Sequence, residues 1–352
     1  MTIILAFQLF FGSGYFYSDV GASEVRGNLD NIYISKENYE EDMKNIVEPY
    51  LENNLEYGYI DGKEGINLYY EKYKVIDAKA NIVLSHGYTE NLERYNEIIY
   101  YFLKNGYNVF GIEHRGHGRS GNLGIADKSQ INVENFSDYI DDFKKFMDEI
   151  VMFNNDAKKV FLFAHSMGGA IGVKFLEDYP EYFSGAVLSS PMLQVHTGKI
   201  PSFLANIVVK SAVTFGKGGH YVLGKTPYME DYNVDEIGTS SINRYMYSEH
   251  IVVANEEFQK GGASYNWTNE AFKVTKEITK YENASKVEIP VLLFQAEDDT
   301  YVKPGGQNKF AKGAKNCKVK LIKNARHELY RETDEIQRAY LEDVLCFYSK
   351  EL

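Results

Sequence analysis

Residues 160–172, VFLFAHSMGGAIG, run a buried-strand pattern straight into a serine set among small residues, and a helix of small residues follows. A strand that turns this sharply into a helix pushes its apical residue out above the sheet. Only tiny side chains fit where the two elements pass closest. Ser166 stands at that apex, with Gly168 at the later small position and Ala164 at the earlier one, where glycine is the usual occupant. Taken alone, these residues allow two readings: a strained turn that presents a nucleophile, or an ordinary serine capping a helix. Under the first, the segment is a strand–helix unit at the centre of a sheet.

The flanking segments extend that unit. Ala80 to His86 and Tyr107 to Glu113 are continuous apolar strands, with helical spacing from Tyr95 to Asn105 between them. This is the pattern of parallel strands joined by crossover helices. Asn135 to Phe153 carries Phe136, Tyr139, Ile140, Phe143, Phe146, Met147 and Ile150 on one stripe, which predicts an amphipathic helix against a sheet face. Before them, EYGYIDGKEGINLYYEKY sets the turn pairs Asp61-Gly62 and Glu64-Gly65 between strand formers and predicts an antiparallel hairpin at the first edge. Lys36 to Leu55 reads as a charged helical stretch.

After the elbow, Ala186 to Ser190 is a further strand. Val291 to Gln295, Gly306 to Ala314, Val319 to Ile322 and Glu332 to Lys350 then follow as strand, helix, strand and closing helix. Between Met192 and Glu282 the alternation lapses into glycine clusters, scattered aromatics and one amphipathic run, Phe203 to Phe215. We therefore read residues 56–191 and 283–352 as an α/β body with a mostly parallel central sheet and helices on both faces. Residues 192–282 are read as an irregular cap inserted over the strand ends, where open α/β sheets bind ligands. Residues 1–55 are an apolar segment followed by a helical arm.

Composition narrows the classes. With 44% hydrophobic and 25% charged residues the chain is of the globular type, and a net charge of −12 without a basic cluster argues against nucleic acid as a partner. Cys317 and Cys346 make neither a disulfide framework nor a metal spacing. His114 and His117, flanking Arg115, lack the carboxylate–histidine helix motif of a metal site, so a glycine-punctuated supporting turn is the better reading there. No metal and no organic cofactor is expected. Ile3 to Phe11 is almost wholly apolar, yet shorter than the about 20 residues that span a bilayer. A shortened secretory signal, an interfacial anchor and a packed N-terminal arm are the readings it allows. The first two favour a secreted or membrane-associated location, with the cytoplasm as the alternative.

If Ser166 is a nucleophile it needs a base, a carboxylate to orient that base, and donors for an oxyanion. Of eight histidines, His86, His114, His117 and His165 precede the serine, and His196, His220 and His250 fall in the cap. Only His327, in NARHE, follows the last strand. Glu297, Asp298 and Asp299 come directly after the strand VLLFQ, and each is a candidate to orient His327. The oxyanion candidates are two backbone amides: Met167, next after the serine, and Tyr88, in the loop Ser85-His86-Gly87-Tyr88. His86 is read as a brace for that loop.

With these residues in place, the chain resembles the α/β-hydrolase superfamily, in its branch of lysophospholipases and monoacylglycerol lipases, from about Glu56 to Leu352. The resemblance rests on HGYTENLERY, IEHRGHGRSG, AHSMGGAI, and AEDDTYV with NARHEL; GGASYNWTNEAF in the cap is similar to bacterial lysophospholipases. It implies an α/β-hydrolase fold and acyl transfer to Ser166, with His327 as general base and then acid, followed by hydrolysis of the acyl-enzyme by water. Through the family spacing it selects Asp299 as the acid, ahead of Asp298. The implied substrate is a small acyl ester with one chain, a lysophospholipid or monoacylglycerol, met at a transient membrane or micelle surface and accommodated by an apolar cap. A general esterase or an aminopeptidase of the same fold is the alternative, with Glu249, Glu256 and Glu257 available to anchor an amine. A non-catalytic binding module would be expected to lack a triad member. Ala164, Glu113 and Ala296 depart from the family's glycine, aspartate and glycine, and none of these changes removes a catalytic group.

Overall fold

The structure, a computed structural model, describes residues 19–156, 158–230 and 237–352, so the apolar segment Ile3 to Phe11 lies outside the described residues. Eight strands form one sheet in the order β1-β2-β4-β3-β5-β6-β7-β8. They are β1 (Leu55–Asp61), β2 (Asn67–Tyr73), β3 (Ala80–Ser85), β4 (Tyr107–Ile112), β5 (Val160–His165), β6 (Gly185–Ser189), β7 (Pro290–Ala296) and β8 (Asn316–Ile322). The hairpin β1–β2 lies at the edge and joins β4 antiparallel, and every later pairing is parallel.

The central strands are buried along their whole length and mostly apolar because both faces are covered. In β5, Val160, Leu162 and Ala164 enter one core while Phe161 and Phe163 enter the other. The first core is shared with α3 (Ser137–Phe146) and α4 (Ser166–Asp178), the second with α1 (Asp19–Ile32), α2 (Asn96–Lys104) and α9 (Asp334–Glu351). The predicted helix from Asn135 runs on past Phe146 as a π-helical turn, Met147–Met152. Helix α8 (Pro304–Gly313) opens on a proline, which is suited to a first turn whose amides have no partner.

Lys36 to Leu55 is helical as far as Glu52, in successive short turns that end in Glu48–Glu52 with Pro49 in its first turn. Two expectations need correction. Strand β8 starts at Asn316, ahead of the expected Val319; as an edge strand it leaves Val319 and Leu321 exposed and so lacks a continuous apolar signal. Residues 192–282 are largely helical rather than irregular, with α5 (Ser202–Thr214), α6 (Ile242–Ala254) and α7 (Tyr265–Ile278). Helix α6 buries Arg244 and Ser248 beside Tyr245 and Val252, so its inner face carries no clean apolar period. Helix α7 sends Trp267, Ala271, Val274 and Ile278 into the same core as α3 and α4. This last part of the insertion is therefore continuous with the body.

Candidate active site

Strand β5 ends at His165 and α4 begins at Ser166, whose φ is 50°. That left-handed conformation is costly for any residue but glycine and persists only where neighbours enforce it. The enforcement is close packing. A Cβ on Gly168 would lie 2.2 Å from the Ser85 carbonyl oxygen and 2.5 Å from that of His86, so α4 could not start here with a larger residue. The extra methyl of Ala164 is taken up one turn along, because a Cβ on Gly172 would stand 3.3 Å from it.

The turn brings together three residues from distant parts of the chain. His327 Nε2 lies 2.8 Å from Ser166 Oγ, and His327 Nδ1 lies 2.7 Å from Asp299 Oδ2. The second oxygen of Asp299 accepts the amides of Tyr301 and Val302, both at 2.9 Å, which fixes the carboxylate plane. Burial works against the charge on Asp299, but the charge and hydrogen bond of His327 and those two amides hold its pKa below the usual carboxylate value. Burial likewise disfavours the charged imidazole, yet Asp299 first, then Glu328 and Glu90, raise the pKa of His327. Asp298 is exposed and contributes its amide to the Ala325 carbonyl, while Glu297 accepts the amide of Asn324. Of the three acids, Asp299 is the one at the histidine.

The amide of Tyr88 has no acceptor among the described residues, and Tyr88 lines the cavity over Ser166. Met167 sits in the first turn of α4, where helical amides lack intrahelical partners. Two N–H groups are thus available beside the serine. His86 holds this loop as expected: its Nδ1 meets the Gly87 carbonyl at 2.8 Å and its Nε2 accepts the amide of His114 at 2.9 Å. Burial lowers the pKa of His86, and that of His114 and His117 far more. The turn after β4 is closed by Glu113, which accepts the amide of Leu92 and the guanidinium of Arg119.

Four residues around the site were not singled out by sequence. Glu90, fully within the core, accepts Gly87 N–H and the hydroxyls of Tyr95 and Tyr330, tying the loop before the serine to the loop that carries His327. Arg94, Glu328 and Arg331 line a cavity of about 320 Å³ that opens onto Ser166 and His327. There Arg94 pairs with Glu249 at 2.9 Å, and Arg331 Nε donates to Glu328 at 2.8 Å. The available signal was proximity: Glu90 and Arg94 lie within HGYTENLERY, and Glu328 and Arg331 follow His327 directly. The walls of this cavity are charged, not the apolar lining that a tunnel for an acyl chain would have. Among the expected amine anchors, Glu249 reaches it but is neutralised by Arg94, and Glu256 and Glu257 are exposed.

The arrangement suits attack by a serine on a carbonyl carbon. With Nδ1–H directed at Asp299, the free Nε2 lone pair takes the serine proton, and the resulting imidazolium sits against a carboxylate.

A family described as serine aminopeptidase, S33, matches residues 76–334. The chain is 29% identical over 292 residues to a probable lysophospholipase L2 of Haemophilus influenzae, covering 82% of this chain and 90% of that one. It is 28% identical over 279 residues to lysophospholipase L2 of Escherichia coli strain K12, covering 76% and 80%. In fold it is similar to a soluble variant of monoglyceride lipase from Saccharomyces cerevisiae in complex with a substrate analog. That match has a TM-score of 0.67 at 21% identity and covers 84% of this chain and 95% of the other.

Proposed function

The chain belongs to the serine aminopeptidase S33 family, and from its similarity to the lysophospholipases L2 we propose that it cleaves the carboxylic ester of a single-chain acyl lipid, a lysophospholipid or monoacylglycerol, through an acyl-enzyme on Ser166. It has the α/β-hydrolase fold and is a carboxylic ester hydrolase acting on small-molecule esters. The observation that carries the reading is the continuous hydrogen-bonded line from Asp299 through His327 to Ser166. Ser166 Oγ attacks the ester carbonyl as its proton passes to His327 Nε2. The Tyr88 and Met167 amides receive the oxyanion, a contribution of about 3 kcal/mol each. His327 then protonates the departing alcohol, and water, deprotonated by the same histidine, releases the fatty acid.

The charged cavity supports an alcohol portion that is polar, glycerol or a glycerophospho group, placed among Arg94, Arg331, Glu249 and Glu328. The neutralised Glu249 speaks against an aminopeptidase, which needs an unpaired acid for the substrate amine. We further propose that the enzyme meets its substrate at a membrane or micelle surface. The apolar segment Ile3 to Phe11 supports a secreted or membrane-associated location, which fractionation of the expressing cells would check.

Labelling with a fluorophosphonate tests the nucleophile: wild type is labelled and Ser166→Ala is not, and equal labelling would end the proposal. Initial rates on lysophosphatidylcholine, monoacylglycerols and aminoacyl amides test the substrate. Preference for the amides, or no gain from short to long acyl esters, would defeat the lipid reading.

A further inference from the structure

The segment GGASYNW, residues 261–267, belongs to the insertion yet touches the loop that carries Tyr88. It is stitched on both sides. Toward the body, the Gly261 amide donates to the Ser129 carbonyl at 2.7 Å, the Ile131 amide to the Gly262 carbonyl at 3.1 Å, and the Ser264 amide to the Ile131 carbonyl at 2.9 Å. Toward the rest of the insertion, Gly262 donates to the Thr226 carbonyl at 2.9 Å and the Ala263 carbonyl accepts the amide of Val222 at 3.0 Å. The two glycines allow so close a crossing: a Cβ on Gly261 would lie 2.5 Å from the Tyr228 nitrogen, and one on Gly262 would lie 2.5 Å from the Lys225 Cβ. Ser264 then caps α7, accepting the Trp267 amide at 3.0 Å and donating to the Asn132 side chain at 2.7 Å. Trp267 is thereby fixed over the body.

Tyr88 rests on this segment. Its hydroxyl donates to the Gly261 carbonyl at 3.2 Å, and its ring lies 4.6 Å from that of Trp267, centroid to centroid. The next residue, Thr89, lines the cavity with a φ of 60°, a left-handed conformation that a β-branched residue keeps only where its surroundings impose it. Thr89 Oγ1 donates to the Tyr88 carbonyl at 2.7 Å, which ties the strained residue to the one before it. The loop thus has two anchors, Glu90 on the body side through the Gly87 amide and the Tyr88 side chain on the insertion side. When an anchor goes, a backbone held under strain relaxes, and the Tyr88 amide turns with it.

Resting on the reading of the Tyr88 amide as an oxyanion donor, we propose that the Tyr88 side chain is a positioning group that sets this donor by the place of the insertion, through Gly261 and Trp267. One residue serves twice: its amide receives the developing charge, and its phenol ring holds the amide. The rate of acyl transfer therefore depends on a crossing of the insertion that lies outside the line of Asp299, His327 and Ser166.

The test is the kinetics of the full chain on a water-soluble short-chain ester, together with the affinity of a trifluoromethyl ketone, whose reversible adduct with Ser166 carries an oxyanion in the same place. Tyr88→Phe keeps the ring and loses the hydroxyl; it should lower kcat about tenfold, leave KM within about twofold and weaken the ketone by the same factor as kcat. Tyr88→Leu loses the ring contact as well and should lower kcat by about 100-fold. Gly261→Ala displaces the crossing and should lower kcat as Tyr88→Phe does. The two together should cost little more than either alone, because they cut one path. Complete labelling of Ser166 by a fluorophosphonate after long incubation shows that each variant is folded with its nucleophile in place. A kcat of Tyr88→Phe equal to that of the wild type, or losses that multiply in the double variant, overturns the proposal. If the wild type cleaves the ester while ketone affinity is blind to Tyr88→Phe, the coupling fails and the esterase reading stands. If the wild type cleaves no ester, the esterase reading is what fails.

Discussion

The carboxylate of Glu90 lies 3.3 Å from Nε2 of His165, and the ring of His165 packs 4.8 Å from the ring of His327, centroid to centroid. A second carboxylate–histidine pair therefore stands directly behind the pair of Asp299 and His327. Burial opposes the charge on Glu90, but His165, Arg94 and the Tyr95 hydroxyl more than offset it and keep the carboxylate ionised. Its negative charge helps to raise the pKa of His327, and its oxygens hold Gly87 and Tyr330.

Glu90→Gln separates these two roles. The glutamine oxygen can still accept the Gly87 amide, but the charge is gone, so the His327 imidazolium loses a stabilising partner and its pKa falls. The base must be neutral to work, hence the acid limb of kcat/KM moves to lower pH. Glu90→Ala removes the support as well and should lower kcat by about 100-fold through misplacement of the oxyanion loop. An acid limb that stays in place in Glu90→Gln would show that Glu90 acts only as scaffold.

Asp299 and Asp298 are neighbours in sequence with opposite surroundings, one at His327 and the other in solvent. Asp299→Asn turns a donor toward Nδ1 and forces the wrong tautomer, so kcat on a soluble ester should fall by about 10⁴-fold. Asp298→Asn should stay within about twofold, as surface substitutions do. A larger loss in the second variant would reassign the acid.

How much of this was legible in the sequence depended on whether a position obeyed a local rule. Buried parallel strands such as β3 and β5 show as unbroken apolar runs, and the elbow, the late histidine and the acid after β7 stand at strand ends where topology alone lines them up. Two kinds of position were hidden. Glu90 and Arg94 act through partners far along the chain, and no local pattern marks a buried ion pair. Residues 192–282 looked irregular because their helices are atypical: α5 leaves most of its large apolar side chains exposed, and α6 buries an arginine.

Glu177, on α4, is buried, and neither of its carboxylate oxygens has a hydrogen-bond partner among the described residues. Burial pushes its pKa up to about 8. The sign follows directly. Between the usual carboxylate value and about 8 the unfolded chain has released this proton while the folded chain keeps it, so folding grows less favourable as pH rises. Glu177→Gln keeps the shape without the charge. In urea denaturation it should stabilise the protein by about 1–3 kcal/mol at pH 9 and by much less at pH 5. A gain that does not change with pH would mean that Glu177 is ionised in the fold.

Arg244 joins the insertion to the body. Its side chain is wholly buried; Nε and Nη2 each reach Glu97 at 2.9 Å, Nη1 reaches Asp334 at 2.7 Å, and Nη2 donates to the Ile34 carbonyl at 3.0 Å. One guanidinium thus holds α6 against α2, α9 and the N-terminal arm, and the same helix carries Tyr245 and Glu249 to the cavity. Arg244→Ala strands the Glu97 charge in the interior and should cost about 3–5 kcal/mol in urea denaturation. Adding Glu97→Gln removes that stranded charge, so Arg244→Ala with Glu97→Gln should regain part of the loss. If the double variant is no more stable than Arg244→Ala, the cost is lost packing around α6 rather than an unpaired carboxylate. Because the clamp sets where α6 lies, the double variant should also raise KM for a long-chain ester while leaving kcat for a short soluble one within about threefold, since the hydrogen bonds of Ser166, His327 and Asp299 do not pass through Arg244.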